Sequence, residues 1–207
     1  MWSPQSLPEP VGDAEVAKLA LRDQLVTARR RRPLSEIGED ARAIADHLLA
    51  APEVRRAATV ACYVSVGTEP GTTALLDRLT SAGKRVILPV LLPDNDLDWA
   101  TYDGPESLAT ARLGLLEPVT PRLGVDAVAT ADVVLVPGMA VSPSGDRLGK
   151  GGGCYDRALA RVPVGTPVVV LLHDGEVGLD VPVEPHDRPV GHAATPSAVI
   201  RLTAGPS

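Results

Sequence analysis

The chain has 207 residues, of which 44 % are hydrophobic and 22 % are charged, as in an ordinary globular protein. Phe is absent and there are only two Trp and three Tyr, so the core must be built from Val, Leu, Ile and Ala, a composition that favours buried parallel strands. The net charge of −6 argues against a nucleic-acid surface, and no apolar run approaches the ~18 residues of a membrane span.

The chain divides into a leader, one domain and a tail. Residues 1–10 carry three prolines, which predicts a disordered leader without the charged-then-apolar pattern of a secretory signal. A single α/β domain is expected over residues 11–203, followed by a tail over residues 204–207. We therefore expect a cytoplasmic protein without membrane or nucleic-acid partners and, because no apolar surface stripe is evident, a monomer.

Two helices are predicted to open the domain. The pattern of residues 13–32 predicts a helix whose apolar side chains tend to one face, at Val16, Leu19, Ala20 and Leu25. A second helix is predicted over residues 35–49, because acidic residues in its first turn suit the helix dipole and Pro52 closes it. His47 in this helix is interpreted as a surface or core-edge residue.

Strands and helices then alternate along the chain. Strands are predicted at residues 58–65, 85–90, 132–141, 167–172 and 198–202, with a short antiparallel strand at residues 97–101. Helices are predicted at residues 71–82 and 155–162. Alternation at this spacing implies βαβ units and a mostly parallel central sheet flanked by helices.

The sequence GDRLGKGGGCYDR at residues 145–157 is the most informative motif. It holds five glycines and three cationic side chains directly after a predicted buried strand. A glycine-dense loop between a strand and a helix lets backbone N–H groups close around an anion, and Arg147 and Lys150 add positive charge where phosphate oxygens would sit. The motif predicts a phosphate cradle. A tight turn without a ligand is the alternative, although such a turn rarely needs four glycines within five residues.

The motif differs from the two common nucleotide loops. Lys150 is followed by no Ser or Thr, and the first glycine of a Walker A loop is missing. The third glycine of a dinucleotide fingerprint is replaced by Cys154, and the motif lies late in the chain. We therefore expect a phosphate loop of another kind.

Three segments are expected to meet at one rim of the sheet. Ligands of an open α/β sheet bind beyond the carboxyl ends of its strands. The loop at residues 65–72, the glycine loop and the turn after Leu172 all follow predicted parallel strands. Their convergence would form a site.

Several charged residues are candidates for this site, each with an alternative. Lys18 and Arg22 share one face of the first helix, but a solvated basic face that continues to Arg29 is favoured on composition alone. Asp156 and Asp187 suit magnesium, which usually binds one or two carboxylates plus phosphate oxygens. The alternatives are helix capping for Asp156 and a turn before a proline for Asp187.

Glu69 follows a predicted strand and is suited to accept two N–H bonds from a heterocycle. It could equally cap the following helix, as could Thr68. The histidines at positions 173, 186 and 192 show no metal-ligand spacing, and no Ser-His-Asp arrangement is present. Cys62 lies in an apolar run and is interpreted as a buried, reduced thiol.

Taken in order, the motifs of residues 18–202 resemble those of the 5-formyltetrahydrofolate cyclo-ligase, or methenyltetrahydrofolate synthetase, family. The glycine-loop motif from Gly145 through Tyr155-Asp156-Arg157 is the specific one. The weaker motifs are Lys18-x-x-Leu21-Arg22, Tyr63-Val64-Ser65-x-x-x-Glu69, Gly83-Lys84-Arg85-Val86-Ile87-Leu88-Pro89, Leu113-Gly114-Leu115-Leu116-Glu117-Pro118, Val136-Pro137-Gly138 and His186-Asp187.

The resemblance implies an open three-layer sandwich of the NagB/RpiA/CoA-transferase-like type. It also implies an enzyme that uses ATP and Mg²⁺ to convert 5-formyltetrahydrofolate into 5,10-methenyltetrahydrofolate, ADP and phosphate. ATP would phosphorylate the formyl oxygen, N10 would attack the activated carbon, and phosphate would leave. Such chemistry depends mainly on positioning and charge stabilisation.

The resemblance assigns each candidate residue a role. Arg147 and Lys150 would be catalytic, and Asp156 and Asp187 would hold magnesium. The ATP-binding set would be Lys18, Arg22, Arg147, Leu148, Gly149, Lys150, Gly151, Gly152, Gly153, Cys154 and Tyr155. The reduced folate would contact Val64, Glu69, Lys150, Gly151, Gly152, Gly153 and Cys154.

This chain departs from the family pattern at several positions. Cys154 and Val141 stand where aromatic residues are usual, which could weaken stacking against the pterin. Thr68-Glu69-Pro70 replaces a more usual acidic-aliphatic pair. Two other functions are therefore considered: a non-catalytic folate- or nucleotide-binding paralogue, and a sugar-phosphate isomerase or acyl-CoA transferase on a similar sheet. The last would leave the basic first helix unexplained.

Overall fold

The computed structural model describes residues 12–203 of the chain. Three short 3₁₀ segments accompany the α-helices. The α-helices of this part are α1 (Asp13–Arg30), α2 (Leu34–Ala50), α3 (Pro52–Arg56), α4 (Thr73–Ser81) and α5 (Cys154–Leu159). Within the same residues, no helix combines the length and apolar character that crossing a bilayer requires. The predicted leader at residues 1–10 and tail at residues 204–207 lie outside the described residues.

Eleven strands are present in residues 12–203. Seven of them form one sheet in the order β11-β10-β9-β6-β1-β2-β3, and the other four form two small hairpins, β4-β5 and β7-β8. The strands are β1 (Thr59–Ala61), β2 (Arg85–Leu91), β3 (Leu97–Thr101), β4 (Leu108–Thr110), β5 (Leu116–Pro118), β6 (Val133–Pro137), β7 (Ala140–Val141), β8 (Arg147–Leu148), β9 (Val168–Leu171), β10 (His192–Ala194) and β11 (Val199–Arg201).

The centre of the main sheet is parallel. Strands β10, β9, β6, β1 and β2 pair in parallel, while β3 and β11 close the two edges in antiparallel fashion. The parallel strands carry the Val-rich runs, as expected for strands covered on both faces. The predicted α/β class with a mostly parallel sheet flanked by helices is confirmed. The NagB/RpiA/CoA-transferase-like type and the single domain over residues 11–203 stay predictions.

Helices cover both faces of the sheet. On one face, buried leucines of α2 and α4 pack with β1, β2 and β6. On the other face, α5 packs with Trp99 and with buried residues of β6 and β9. Helix α1 lies apart from these layers, and its Leu25 packs against the β7-β8 hairpin through Met139 and Leu148. The core is aliphatic, as the composition predicts.

The buried face of α1 differs from the apolar face of its sequence. Val16 and Leu19 are 55 % and 58 % exposed, whereas Lys18, Leu25 and Arg29 are buried. The interpretation of Lys18 and Arg29 as a solvated basic face is therefore wrong. Both cations find acidic partners in distant segments, which the apolar periodicity of the helix does not reveal.

The predicted strand at residues 132–141 is interrupted. Strand β6 ends at Pro137, and a Cβ atom on Gly138 would lie 2.5 Å from the Val170 side chain, so the chain passes unusually close to β9. Met139 then donates its N–H to the Leu148 carbonyl at 2.7 Å, which starts the β7-β8 pairing. This break places the glycine loop beyond the end of β6.

The strand predicted at residues 58–65 ends early, at Ala61. The Thr72 hydroxyl donates to the Tyr63 carbonyl at 2.7 Å, and Ser65 and Thr72 exchange further bonds between backbone and side chain. These bonds replace strand pairing and fold residues 65–72 into a loop. The antiparallel strand at residues 97–101 matches its predicted bounds, whereas α3, β10 and the β4-β5 hairpin carry no signal that sequence reasoning recognised.

Gly145 allows the chain segment before β10 to reach the glycine loop. Its φ is +95°, and a Cβ atom there would lie 2.3 Å from the Val190 carbonyl oxygen. Gly145 also accepts the N–H of Val190 at 2.8 Å. The close approach requires glycine and holds residues 184–190 beside the glycine loop.

We predict that Gly145→Ala lowers the free energy of unfolding by about 1–3 kcal/mol more than Gly165→Ala does. Gly165 has a matching φ of +93°, but nothing lies within 4 Å of its Cβ position. The pair therefore separates the steric clash from the cost of positive φ. Urea denaturation of both variants measures the difference, and equal destabilisation would contradict the packing described at Gly145.

Candidate functional site

One large cleft lies at the carboxyl ends of the parallel strands. Its volume is about 860 Å³, and its walls include residues that follow β1, end β2 and end β6, among them Tyr63, Leu91 and Pro137. The loop at residues 65–72 and the glycine loop both contribute, as predicted. The turn after Leu172 does not line the cleft, because His173 is buried behind the 65–72 loop. Residues 184–188 line the cleft in its place.

The structure brings every predicted site residue to this cleft. They are Lys18, Arg22, Val64, Glu69, Arg147, Leu148, Gly149, Lys150, Gly151, Gly152, Gly153, Cys154, Tyr155, Asp156 and Asp187. Their assigned roles stay predictions. Val141, by contrast, is fully buried in the core and does not line the cleft, so an aromatic residue missing there changes core packing rather than a cleft wall.

Two glycines shape the loop that forms one wall of the cleft. Gly151 and Gly153 have φ of +99° and +65°, which L side chains rarely adopt. A Cβ atom on Gly151 would lie 3.5 Å from the Arg22 guanidinium carbon, and the Arg22 Nε–H donates to the Gly149 carbonyl at 2.8 Å. The loop is therefore open enough for a cation from α1 to dock against it.

Arg147 is buried at the base of the glycine loop. Its Nη1 donates to the Pro137 carbonyl at 3.1 Å and its Nη2 to Asp156 Oδ1 at 3.1 Å. The guanidinium lies 5.8 Å from the Tyr155 ring centre, within cation–π range. Its Nε is buried and finds no partner among residues 12–203. Asp156 therefore orients Arg147; it makes no capping bond to α5, contrary to the capping alternative.

Lys18 joins α1 to the segment before β10. Its ammonium lies 2.6 Å from Glu184 Oε2 and 2.6 Å from Asp187 Oδ2. Burial opposes the charge, but the hydrogen bonds and charges of the two carboxylates outweigh it and raise the pKa of Lys18. Asp187 Oδ2 also accepts the Glu184 N–H at 2.7 Å, so its turn-forming role and its place in the cleft are both present.

Acidic and imidazole groups gather beside Lys18. One ligand atom each from Glu184, His186 and Asp187 lies within 4.8 Å of the others. Asp156 lies outside this group of three but contacts the same segment, because its Oδ1 accepts the Arg188 N–H at 3.2 Å. The sequence analysis named both aspartates, missed Glu184, and found no metal-ligand spacing for His186, which the fold nevertheless places within this group. The sequence signal was a pair of carboxylates close together around Pro185, those of Glu184 and Asp187. Their partner Lys18 is distant in sequence, so the pairing is evident only in the fold.

Glu69 and Lys150 form an ion pair within the cleft. Lys150 Nζ lies 2.7 Å from Glu69 Oε1, and Glu69 Oε2 accepts the Val66 N–H at 2.7 Å. Glu69 thus closes its own turn and does not cap α4, which has no side-chain cap. Burial, and then the charge of Glu69, raises the pKa of Tyr63 and of Tyr155 well above the usual value. Both phenols therefore keep their protons in the cleft wall.

Both cysteines are free thiols. Burial raises the pKa of Cys62 to about 12, which confirms the prediction of a buried, reduced thiol. Cys154 is half-buried and lines the cleft, and partial burial raises its pKa as well. Neither thiol is activated as a nucleophile, because a reactive thiol needs a lowered pKa.

A second buried ion pair supports the cleft from behind. The Arg29 guanidinium donates to both oxygens of Glu176 at 2.7 Å and to the Gly138 carbonyl at 2.7 Å. Glu176 also accepts the His173 N–H at 2.8 Å. The pair ties α1 to the turns that follow β6 and β9, so α1 cannot shift without breaking buried charge contacts.

We predict that Glu176→Gln lowers the free energy of unfolding by about 3–5 kcal/mol, because it leaves the buried Arg29 charge uncompensated. Asp46→Asn is the control, since its ion pair with Arg78 is exposed on both sides and should change stability by at most about 1 kcal/mol. Urea denaturation compares the two variants. Similar effects would contradict the importance given to the buried pair.

The cleft and its loop can be compared with known proteins. Residues 14–196 match the sequence profile of the 5-formyltetrahydrofolate cyclo-ligase family. A 5-formyltetrahydrofolate cyclo-ligase of Mycolicibacterium smegmatis is 40 % identical over 185 residues, which are 87 % of this chain and 94 % of the relative. One from Escherichia coli K12 is 36 % identical over 179 residues, which are 83 % of this chain and 97 % of the relative.

Two solved structures named 5,10-methenyltetrahydrofolate synthetase share the fold. The NMR structure of 5,10-methenyltetrahydrofolate synthetase from Aquifex aeolicus superposes with a TM-score of 0.77 at 29 % identity, covering 92 % of this chain and 95 % of that one. A 5,10-methenyltetrahydrofolate synthetase from Mycoplasma pneumoniae gives a TM-score of 0.69 at 19 % identity, covering 86 % and 98 % of the two chains. The second likeness bears on the fold alone.

Proposed function

The chain belongs to the 5-formyltetrahydrofolate cyclo-ligase family, and we propose that its cleft joins ATP to the reduced folate in an ATP- and magnesium-dependent ring closure. The enzyme converts 5-formyltetrahydrofolate to 5,10-methenyltetrahydrofolate, as the names of its relatives and of the similar Aquifex aeolicus structure indicate. The observation that carries the finer proposal is the gathering of four cations, Lys18, Arg22, Arg147 and Lys150, around one glycine loop.

The four cations suit a triphosphate. A glycine loop offers backbone N–H groups to phosphate oxygens, and each nearby cation offsets part of their charge. Arg22 already contacts the loop through the Gly149 carbonyl. The ATP phosphates would lie along residues Arg147–Tyr155 with α1 on their other side.

The opposite wall suits the reduced folate. Glu69 is a buried carboxylate that reaches the cleft, and a carboxylate accepts two adjacent N–H groups of a pterin ring well. Val64 gives an apolar surface beside it. Lys150 lies 2.7 Å from Glu69 and so stands between the folate wall and the phosphate wall, where the reaction has to take place.

The chemistry then follows in two steps. The formyl oxygen attacks the γ-phosphorus of ATP, the bond to the bridging oxygen breaks, and ADP leaves. N10 next attacks the activated formyl carbon and loses its proton, and the carbon–oxygen bond breaks to release phosphate. Arg147 and Lys150 would stabilise the charge on the transferred phosphoryl group, since phosphoryl transfer depends largely on positioned cations.

The carboxylates near the loop fit a magnesium ion. Within residues 12–203, the hydrogen bonds of Asp156 all go to Oδ1, so Oδ2 remains available to a cation. Asp187 adds a second carboxylate next to the Arg188 N–H that binds Asp156. Hard oxygen ligands of this kind, with phosphate oxygens, are what magnesium prefers. When bound there, magnesium would neutralise phosphate charge and align the triphosphate.

The test is a spectrophotometric assay of the purified protein that follows the methenyl chromophore. We predict a signal that requires 5-formyltetrahydrofolate, ATP and Mg²⁺ together. Arg147→Ala and Asp156→Asn should each lower kcat by about 10²-fold or more, because each removes charge stabilisation at the transferred group. Asp46→Asn is the matched control, since Asp46 also pairs with an arginine but lies outside the cleft.

Thermal unfolding of each variant shows whether the fold is retained. Unaltered turnover in Asp156→Asn would remove that residue from metal binding. No signal from the wild type, with ATP still bound in calorimetry, would favour the binding-only paralogue and would direct attention to Cys154, the departure that lines the cleft.

A further inference from the structure

His173 is a buried histidine outside the cleft whose contacts lead directly to it. The side chain is 1 % exposed. Its Nδ1 lies 3.1 Å from Asp40 Oδ2 of α2, and its Nε2 lies 3.1 Å from the Thr68 carbonyl oxygen. The ring therefore bridges a helix on one face of the sheet and the loop that carries Glu69.

Both ring nitrogens face hydrogen-bond acceptors. A carbonyl oxygen cannot donate, and the Asp40 carboxylate oxygen already accepts a hydrogen bond from Arg32 Nη2. Two N–H donors are therefore needed, and only the imidazolium form of histidine supplies both. The charged groups around the ring come from three elements. They are Asp40 of α2, Arg29 of α1 with Arg32 just after it, and Asp174 and Glu176 in the turn that contains His173.

The Thr68 carbonyl belongs to the peptide that joins Thr68 to Glu69. Fixing its direction fixes the start of Glu69, whose carboxylate then accepts the Val66 N–H and pairs with Lys150. Hydrogen bonds therefore connect Asp40, through the His173 ring, to the loop that forms the wall proposed for the folate. The phosphate wall has no comparable contact with His173 in the described part of the chain.

We propose that His173, as an imidazolium, is a positioning residue that holds the 65–72 loop in the conformation that presents Glu69 to the reduced folate. This inference rests on the proposed role of Glu69. Loss of either ring N–H removes one of the two hydrogen bonds and loosens either the loop or its anchor on α2. Binding of the folate, rather than of ATP, then weakens.

Two variants separate the two bonds of the ring. The amide nitrogen of Asn lies close to the place of Nδ1 and that of Gln close to the place of Nε2. His173→Asn thus keeps the bond to Asp40 and loses the bond to Thr68, whereas His173→Gln does the reverse. The control is His47→Asn, because His47 Nε2 also contacts a loop carbonyl, that of Pro196, at 3.1 Å but outside the cleft.

Steady-state kinetics of these variants gives the first test. His173→Asn should raise KM for 5-formyltetrahydrofolate about tenfold, the size expected for losing a charge-assisted hydrogen bond, with KM for ATP unchanged. His173→Gln, which keeps the bond to Thr68 and loses only the anchor on α2, should raise the folate KM by a smaller factor. His47→Asn should behave as the wild type. Equal folate KM values in His173→Asn and His173→Gln would overturn the proposal.

A measurement on the wild-type protein is independent of turnover and of variant folding. Nitrogen-15 NMR of the imidazole rings, with four histidines in the chain, should show both nitrogens of His173 protonated near neutral pH. One unprotonated ring nitrogen would overturn the proposal. Absence of ring closure by the wild type would contradict the proposed function. The NMR spectrum would still test the protonation of the His173 ring, and amide exchange of residues 66–69 in the two variants would still test whether the ring holds the loop.

Discussion

Pairing of buried cations with distant carboxylates is the constraint on which the cleft depends. Lys18, Arg29 and Arg147 are 4 %, 2 % and 5 % exposed, and an uncompensated charge at such depth costs several kcal/mol. Helix α1 fully buries one large apolar side chain, Leu25, and partly buries Leu21 and Val26 beside it, so the ion pairs of Lys18 and Arg29 contribute strongly to its position. Because α1 carries Lys18 and Arg22, the cation set of the cleft exists only while the pairs hold.

The same pairs hold the cations of the cleft in place before a ligand binds. Lys18 and Lys150 each pair with carboxylates, at 2.6 Å and 2.7 Å, and phosphate oxygens can take the place of these carboxylates as partners. Arg147 keeps an unpartnered Nε within residues 12–203. The groups needed for binding are therefore ordered beforehand, and little side-chain ordering remains to oppose association.

Local sequence signals predicted much of this arrangement. The glycine loop, the loop position of Glu69 and the bounds of β3 were predicted correctly because each depends on a short stretch of sequence, whereas Val64 was placed in a strand that ends at Ala61. The burial of Lys18 could not be predicted from the residues alone, because its partners lie 166 and 169 positions away. The same holds for His173, whose role depends on the meeting of α2 with the 65–72 loop, and for the break after β6, which reflects the contact of Gly138 with β9.

Calorimetric titration with ATP, ADP and AMP in the presence of magnesium tests the central claim most directly. If Lys18, Arg22, Arg147 and Lys150 hold the phosphates, affinity should fall stepwise as phosphates are removed, and it should weaken with added salt because the contacts are ionic. Binding of AMP as tight as that of ATP would contradict the account, since the cation set would then have no part in holding the nucleotide.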